Sequence, residues 1–240
     1  MALDGYFSFV GQVMPVFPGK ESAGKTLKLF DEPVQPARRI EFAPDAVLLR
    51  GFADAQATLL VDAFRRVVEQ APLRHMNTPG GRRMSVANTN AGPWGWVSDR
   101  TGYRYVSTDP LGGKPWPSMP EAWLALARAA AMQAGFGHFE PDACLVNVYE
   151  PGTRLSLHQD RDERDFDAPI VSVSLGLPAT FLFGGRTRKD VPRRIPLLHG
   201  DVLVWGGMSR LAYHGVAPLA AGGHPLLGAR RINLTLRKAR

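Results

Sequence analysis

Residues 144–160, Cys-Leu-Val-Asn-Val-Tyr-Glu-Pro-Gly-Thr-Arg-Leu-Ser-Leu-His-Gln-Asp, read as two extended segments separated by a Glu-Pro-Gly turn. Strand side chains alternate, so Cys144, Val146 and Val148 fall on one face of the first segment and Asn147 and Tyr149 on the other. The second segment ends in His158-Gln159-Asp160. An imidazole and a carboxylate two residues apart share a face when the chain is extended, and both then point at one spot. That is two thirds of a two-His-one-carboxylate triad, the ligand set that leaves open positions on a ferrous ion. A His-x-Asp pair is common by chance, so the reading depends on the rest of the chain.

A second histidine must come from a distant strand. His199 precedes Gly200-Asp201 and reads as part of a hairpin turn. His224 lies in the loop-like Ala-Gly-Gly-His-Pro. His214 sits in Leu211-Ala-Tyr-His-Gly-Val216, where apolar flanks predict a buried strand, and it is the candidate ligand. Beyond it, Arg230-Arg-Ile-Asn-Leu-Thr-Leu-Arg237 alternates cleanly: Ile232, Leu234 and Leu236 against Arg231, Asn233, Thr235 and Arg237. An edge strand with its basic side in water would show this pattern. So would an interior face gripping a small dianion, because guanidinium groups fork onto carboxylates. Asn147 and Tyr149 favour the second reading, since they add hydrogen-bonding groups to the same pocket. A dicarboxylate such as 2-oxoglutarate fits that demand.

Asn147-x-Tyr149, His158-x-Asp160, His214 and Arg231-x-Asn233-x-Thr-x-Arg237 together resemble the AlkB family of iron(II)- and 2-oxoglutarate-dependent dioxygenases. Pro141-Asp-Ala-Cys-Leu, Leu155-Ser-Leu-His-Gln-Asp160, Ala168-Pro-Ile-Val-Ser-Val-Ser-Leu-Gly-Leu-Pro178 and Val204-Trp-Gly-Gly207 carry the same resemblance, which runs from about Ala46 to Arg237. It implies Fe(II) on His158, Asp160 and His214. It implies 2-oxoglutarate paired by Arg231 and Arg237 and hydrogen-bonded by Asn147, Tyr149 and Asn233, with O2 as the second co-substrate. Trp96 and Tyr103 match residues that hold a damaged nucleotide, with the base stacked between Trp96 and His158. Asp162 matches a carboxylate that accepts a hydrogen bond from the base's exocyclic amine, and Arg188 matches a substrate contact. Thr78 and Met84 fall in segments that match a flexible lid over the substrate. Arg82 stands where the family pattern has an aromatic residue, which bears on strand grip rather than on the reaction.

The composition agrees with one large domain. The chain has 240 residues, 45% of them hydrophobic, enough to bury a substantial core. The 29 basic residues outnumber the 22 acidic ones, a net charge of +7 that favours polyanionic partners. Cys144 is the only cysteine, so no intrachain disulfide forms and a reducing cytoplasm is the expected location. No apolar run approaches the ~20 residues of a membrane span, and no signal peptide is recognisable.

Residues 1–45 are rich in Pro and Gly and read as an irregular extension. Within them Gly19-Lys-Glu-Ser-Ala-Gly-Lys-Thr26 matches the phosphate-binding loop pattern, but Pro15, Pro18 and Pro33 leave no room for the strand and helix that such a loop requires. Residues 46–240 read as a single dioxygenase domain. Ala46–Leu49 predicts a strand, and Asp54 is expected to cap a helix to about Gln70 with Leu60, Phe64, Val67 and Val68 as its apolar stripe. Ser118-Met-Pro-Glu121 predicts a capping box opening a second helix that ends before Gly135. Residues 76–119 between the helices show little periodicity. Trp94, Trp96, Tyr103, Tyr105 and Trp116 interleave there with Arg82, Arg83, Arg100 and Arg104, as a nucleotide-recognition lid needs for stacking and phosphate contact. Packing of these rings under a long loop is the competing reading.

From residue 143 to 237 short strands follow at regular spacing, over 143–149, 154–158, 170–176, 180–184, 195–198, 202–205, 211–216 and 231–237. They predict a mainly β, α+β fold: a jelly-roll core, the double-stranded β-helix of the family, buttressed by two helices. The basic loop 184–194 reads either as solvated or as a phosphate contact, and the acidic run 160–165 as a mostly solvated turn.

The resemblance implies oxidative repair of N-alkylated bases, 1-methyladenine and 3-methylcytosine, with release of succinate, CO2 and an aldehyde. Single-stranded DNA is the expected partner, with duplex DNA and RNA left open, and a monomer is the default. Two alternatives keep part of this reading: the same iron chemistry on a protein or small-molecule substrate, and a non-catalytic nucleic-acid-binding module.

Overall fold

The computed structural model describes residues 38–240, so the phosphate-loop-like stretch at 19–26 lies outside the described residues. In chain order the elements are β1 (Arg38–Ala43), β2 (Ala46–Arg50), α1 (Ala57–Gln70), β3 (Ala87–Ala91), β4 (Gly95–Asp99), β5 (Gly102–Val106) and α2 (Glu121–Ala134). They continue with β6 (Ala143–Tyr149), β7 (Leu155–His158), β8 (Ile170–Gly176), β9 (Ala179–Phe183), β10 (Arg193–Leu197), β11 (Val202–Trp205), β12 (His214–Val216) and β13 (Arg231–Arg237). A major sheet runs β1-β2-β11-β8-β13-β6-β3, a minor sheet β10-β9-β12-β7, and β4 and β5 form a separate hairpin. The architecture is the expected jelly roll with two helices.

Two cores hold it together. The outer face of the major sheet, including Val146, Val148, Ile232, Leu234 and Leu236, packs on Leu60, Val61 and Val67 of α1 and on Trp123 and Leu126 of α2. The second core lies between the sheets, where Leu48, Ile170 and Leu203 meet Phe181, Phe183 and Val216. β13 is therefore covered on both faces and is central, flanked by β8 and β6, rather than an edge strand with its basic side in water.

Four local expectations are corrected. The irregular extension does not reach residue 45: Arg38–Ala43 is a strand, held by antiparallel pairing to β2 rather than by any apolar pattern of its own. Asp54 opens a 3-10 turn, Asp54–Gln56, ahead of α1 and makes no capping bond. The Ser118–Glu121 capping box does not form, because Pro120 occupies the cap position and Glu121 turns to Arg128, 3.3 Å away. The 76–119 region is not aperiodic. It contains β3, whose buried Thr89 and Asn90 bond to the Ala71 carbonyl and to the Trp96 backbone, and these tertiary bonds override a polar sequence with no strand signature.

The minor sheet brings β12 and β7 unusually close at Gly215. A Cβ there would stand 2.6 Å from the Leu155 carbonyl oxygen, and only glycine fits. Gly215→Ala is expected to push β12 off β7 and to destabilise the protein by about 1–3 kcal/mol, the usual cost of overpacking. A thermal melt at wild-type temperature for this variant would contradict the close-approach reading.

Candidate active site

His158, at the end of β7, and His214, at the start of β12, are direct cross-strand partners. Asp160 follows two residues after His158. The minor sheet delivers the two imidazoles and the segment leaving β7 delivers Asp160 to the same point, where their ligand atoms lie within 4.8 Å of one another. Both imidazoles turn Nδ1 to a backbone carbonyl, His158 to Ser156 at 2.9 Å and His214 to Ala212 at 3.0 Å. A carbonyl only accepts, so each Nδ1 carries the proton and each Nε2 presents a lone pair. Those Nε2 atoms are each 3.6 Å from an Asp160 oxygen. Burial and the neighbouring His158 depress the His214 pKa, which keeps it in the neutral, ligating form. Burial alone would raise the Asp160 pKa, but the Arg237 guanidinium holds it well below the ordinary carboxylate range. Two neutral nitrogens and one fixed carboxylate, all on one side, are the donor set of a ferrous ion with open positions.

Next to the triad, the inner face of β13 meets β6 and β8 in register. Arg231 lies opposite Tyr149 and Asn233 opposite Asn147. The Asn233 amide donates to the Ser172 hydroxyl at 2.8 Å and to the Val173 carbonyl at 3.0 Å. Arg231 is 1% exposed, yet only its Nη2 is bonded, to the Ser174 hydroxyl at 3.0 Å. Its Nε and Nη1 and the Tyr149 hydroxyl have no partner. Buried donors are almost always satisfied, and a guanidinium with two free N–H groups beside a free phenol fits a carboxylate ligand. Arg237 behaves differently. Its Nε and Nη2 both donate to Asp160 Oδ2, at 2.9 and 2.6 Å, so it grips the metal-binding carboxylate while lining the same cavity as Arg231.

One cavity of about 680 Å³ connects these groups, and every residue singled out for metal, co-substrate or substrate lines it. Thr78, Met84, Trp96, Tyr103, Asp162 and Arg188 lie on the same cavity as the triad. The Trp96 and Tyr103 rings, carried by β4 and β5, stack on each other with centroids 5.5 Å apart, and Trp96 Nε1 donates to Asp162 Oδ2 at 2.8 Å. The remaining candidate histidines are elsewhere: His199 and His224 stack on each other at 4.2 Å and do not line the cavity.

Residues 45–237 match the model of the 2OG-Fe(II) oxygenase superfamily. The chain is 57% identical over 197 residues, 82% of its length and 91% of the relative's, to the alpha-ketoglutarate-dependent dioxygenase AlkB of Salmonella typhimurium. The chain belongs to the AlkB family. It is an Fe(II)- and 2-oxoglutarate-dependent dioxygenase. The AlkB of Escherichia coli K12 is 56% identical over the same shares of both chains. The solved structure of OsALKBH1 superposes with a TM-score of 0.73 at 28% identity, covering 84% of this chain and all of that one.

Several residues of the site escaped the sequence reading. Ser172 and Ser174 had a signal, since they alternate with Val171 and Val173 on β8 and so share the inner face. Glu163 and Arg210 had none. Glu163 sits in the acidic run expected to be solvated, yet it is 5% exposed, and Arg210 is 2% exposed.

Proposed function

We propose that this dioxygenase removes alkyl groups from nucleic-acid bases, 1-methyladenine and 3-methylcytosine in particular, with single-stranded DNA as the preferred partner and duplex DNA and RNA as secondary ones. The observation that carries the reading is the Trp96–Tyr103 stack, hydrogen-bonded to Asp162, on the wall of the cavity that holds the triad. Relatives named as a DNA N(6)-methyladenine demethylase and a tRNA demethylase support the substrate class.

Bound Fe(II), with 2-oxoglutarate and O2, supplies the oxidation that hydroxylates an N-alkyl carbon, which then leaves as an aldehyde while the co-substrate ends as succinate and CO2. The residues do the rest. His158, Asp160 and His214 would hold the metal, and Arg231 with Tyr149 would hold a co-substrate carboxylate, with Asn147 and Asn233 as further hydrogen-bonding groups. Trp96 offers a π-face that attracts a cationic methylated base. The Asp162 oxygen left free by Trp96 is an acceptor for an exocyclic amine, and Arg188 at the rim suits a phosphate. A duplex target must first be unstacked at a cost of a few kcal/mol, which single strands largely avoid. The enzyme acts as a monomer on this reading. A reducing cytoplasm agrees with the lone buried Cys144, and among the described residues no helix is long and apolar enough to cross a membrane.

The test supplies Fe(II), ascorbate and 2-oxoglutarate to the purified protein with a single-stranded oligonucleotide bearing one 3-methylcytosine. Mass spectrometry is expected to show loss of the methyl group with wild type and not with His158→Ala. Succinate without loss of the methyl would reject this lesion as substrate. Faster repair of a matched duplex across a range of salt would overturn the single-strand preference.

A further inference from the structure

We propose that Glu163 is a positioning residue for the metal centre, holding Asp160 through Arg210 and Arg237, and that the Tyr105 hydroxyl ties that position to the β4–β5 hairpin. The inference rests on the reading of His158, Asp160 and His214 as metal ligands. Glu163 lies in a run of charged residues, where a solvated side chain is the usual outcome, but its carboxylate is enclosed and surrounded by donors. Tyr105 donates its hydroxyl to Glu163 Oε1 at 2.6 Å. Arg210 Nη2 donates to Oε2 at 3.2 Å, and Arg237 Nε lies 3.5 Å from Oε1. Both arginines also hold Asp160. Arg237 takes its side chain with two donors, and Arg210 Nη1 takes its backbone carbonyl at 2.8 Å while Arg210 Nε takes the Ala168 carbonyl at 3.1 Å.

The four charges, Asp160, Glu163, Arg210 and Arg237, balance inside the protein. Removing Glu163 leaves two buried guanidiniums with Asp160 as the one remaining carboxylate of the set. Unpaired buried charge is costly, so Arg237, already on Asp160 Oδ2, turns harder on that carboxylate and competes with a cation for it, and the local charge rises by one. Both effects weaken metal binding. The hairpin enters through its register. Tyr105 is the direct cross-strand partner of Trp96, so neighbouring rings donate to the consecutive carboxylates Asp162 and Glu163. The segment that carries the metal-binding carboxylate is thereby fixed to the hairpin that carries Trp96 and Tyr103.

The full-length protein is titrated with Mn(II), followed by electron paramagnetic resonance, as wild type, His158→Ala, Glu163→Gln and Tyr105→Phe, with circular dichroism confirming the fold. Glu163→Gln is expected to weaken Mn(II) binding by about 10–100-fold, the usual effect of losing an outer-shell partner. Tyr105→Phe leaves every charge in place and is expected to weaken binding about fivefold, the scale of one hydrogen bond, which a purely electrostatic role for Glu163 would not produce. A folded Glu163→Gln with wild-type affinity overturns the proposal. Should that variant fail to fold, wild-type affinity in Tyr105→Phe overturns it instead. Equal binding by wild type and His158→Ala would remove the metal-site reading beneath it.

Discussion

Arg231→Met is expected to stabilise the ligand-free protein while sharply weakening its affinity for 2-oxoglutarate. The two effects have one cause. The guanidinium is buried with Nη2 on Ser174 and two donors unused, its ring contact is the face of Tyr149 at 4.9 Å, and burial lowers its pKa. No carboxylate pairs with it among the described residues, so it bears a desolvation penalty that a ligand would offset. Replacing buried ionic groups by apolar ones of similar volume commonly stabilises a protein by about 1–4 kcal/mol, and Met is long and adaptable enough to fill the space. Losing one partner of a buried charged pair costs about 2–5 kcal/mol of binding, so co-substrate affinity should fall by about 30-fold to several thousandfold. Urea unfolding with and without 2-oxoglutarate separates the terms. Wild type should gain stability with ligand by mass action. The variant should start higher and gain less, by the size of its affinity loss. A ligand-free variant less stable than wild type would mean that Arg231 is satisfied in a way its hydrogen bonds do not reveal.

Arg231 was legible in the sequence because period-2 alternation is local. The residue identities of β13 and β6 state which face is polar, and a strand enforces it. His214 was legible for a similar reason, since apolar flanks place an imidazole in the interior. What the sequence concealed depends on partners far along the chain. Glu163 is buried because Tyr105 and Arg210, 58 and 47 residues away, reach it, and no window around residue 163 contains that information. β3 is a strand because its Asn and Thr side chains find backbone partners and β6 offers an edge. Its own composition would place it in a turn. Arg237 shows a subtler limit. Its face was legible, but its two bonds to Asp160 depend on where the segment after β7 places that carboxylate.

Trp96→Ala is expected to cut repair of a methylated base by about 10–100-fold while leaving 2-oxoglutarate consumption in the absence of nucleic acid within twofold of wild type. The repair loss follows from stacking, worth about 1–3 kcal/mol per base, with the attraction of a π-face for a cationic lesion added to it. It follows also from Asp162, which loses the Trp96 N–H that now orients it. The expectation of intact co-substrate turnover follows from the contacts of Trp96. Its polar bonds go to Asn90 and Asp162 and its stack to Tyr103, while His158 and His214 are held by β7 and β12, Asp160 by Arg237 and Arg210, and the carboxylate-binding groups by β6, β8 and β13. Deleting the ring removes a wall of the cavity and leaves those strands in place. Succinate release and loss of the methyl mass, measured on the same samples, give the split. A parallel fall in both would make Trp96 part of the scaffold around the metal centre. Unchanged repair would mean that the base does not rest on Trp96. Robust succinate release by wild type with no nucleic-acid substrate found would bring forward a protein or small-molecule substrate for the same cavity.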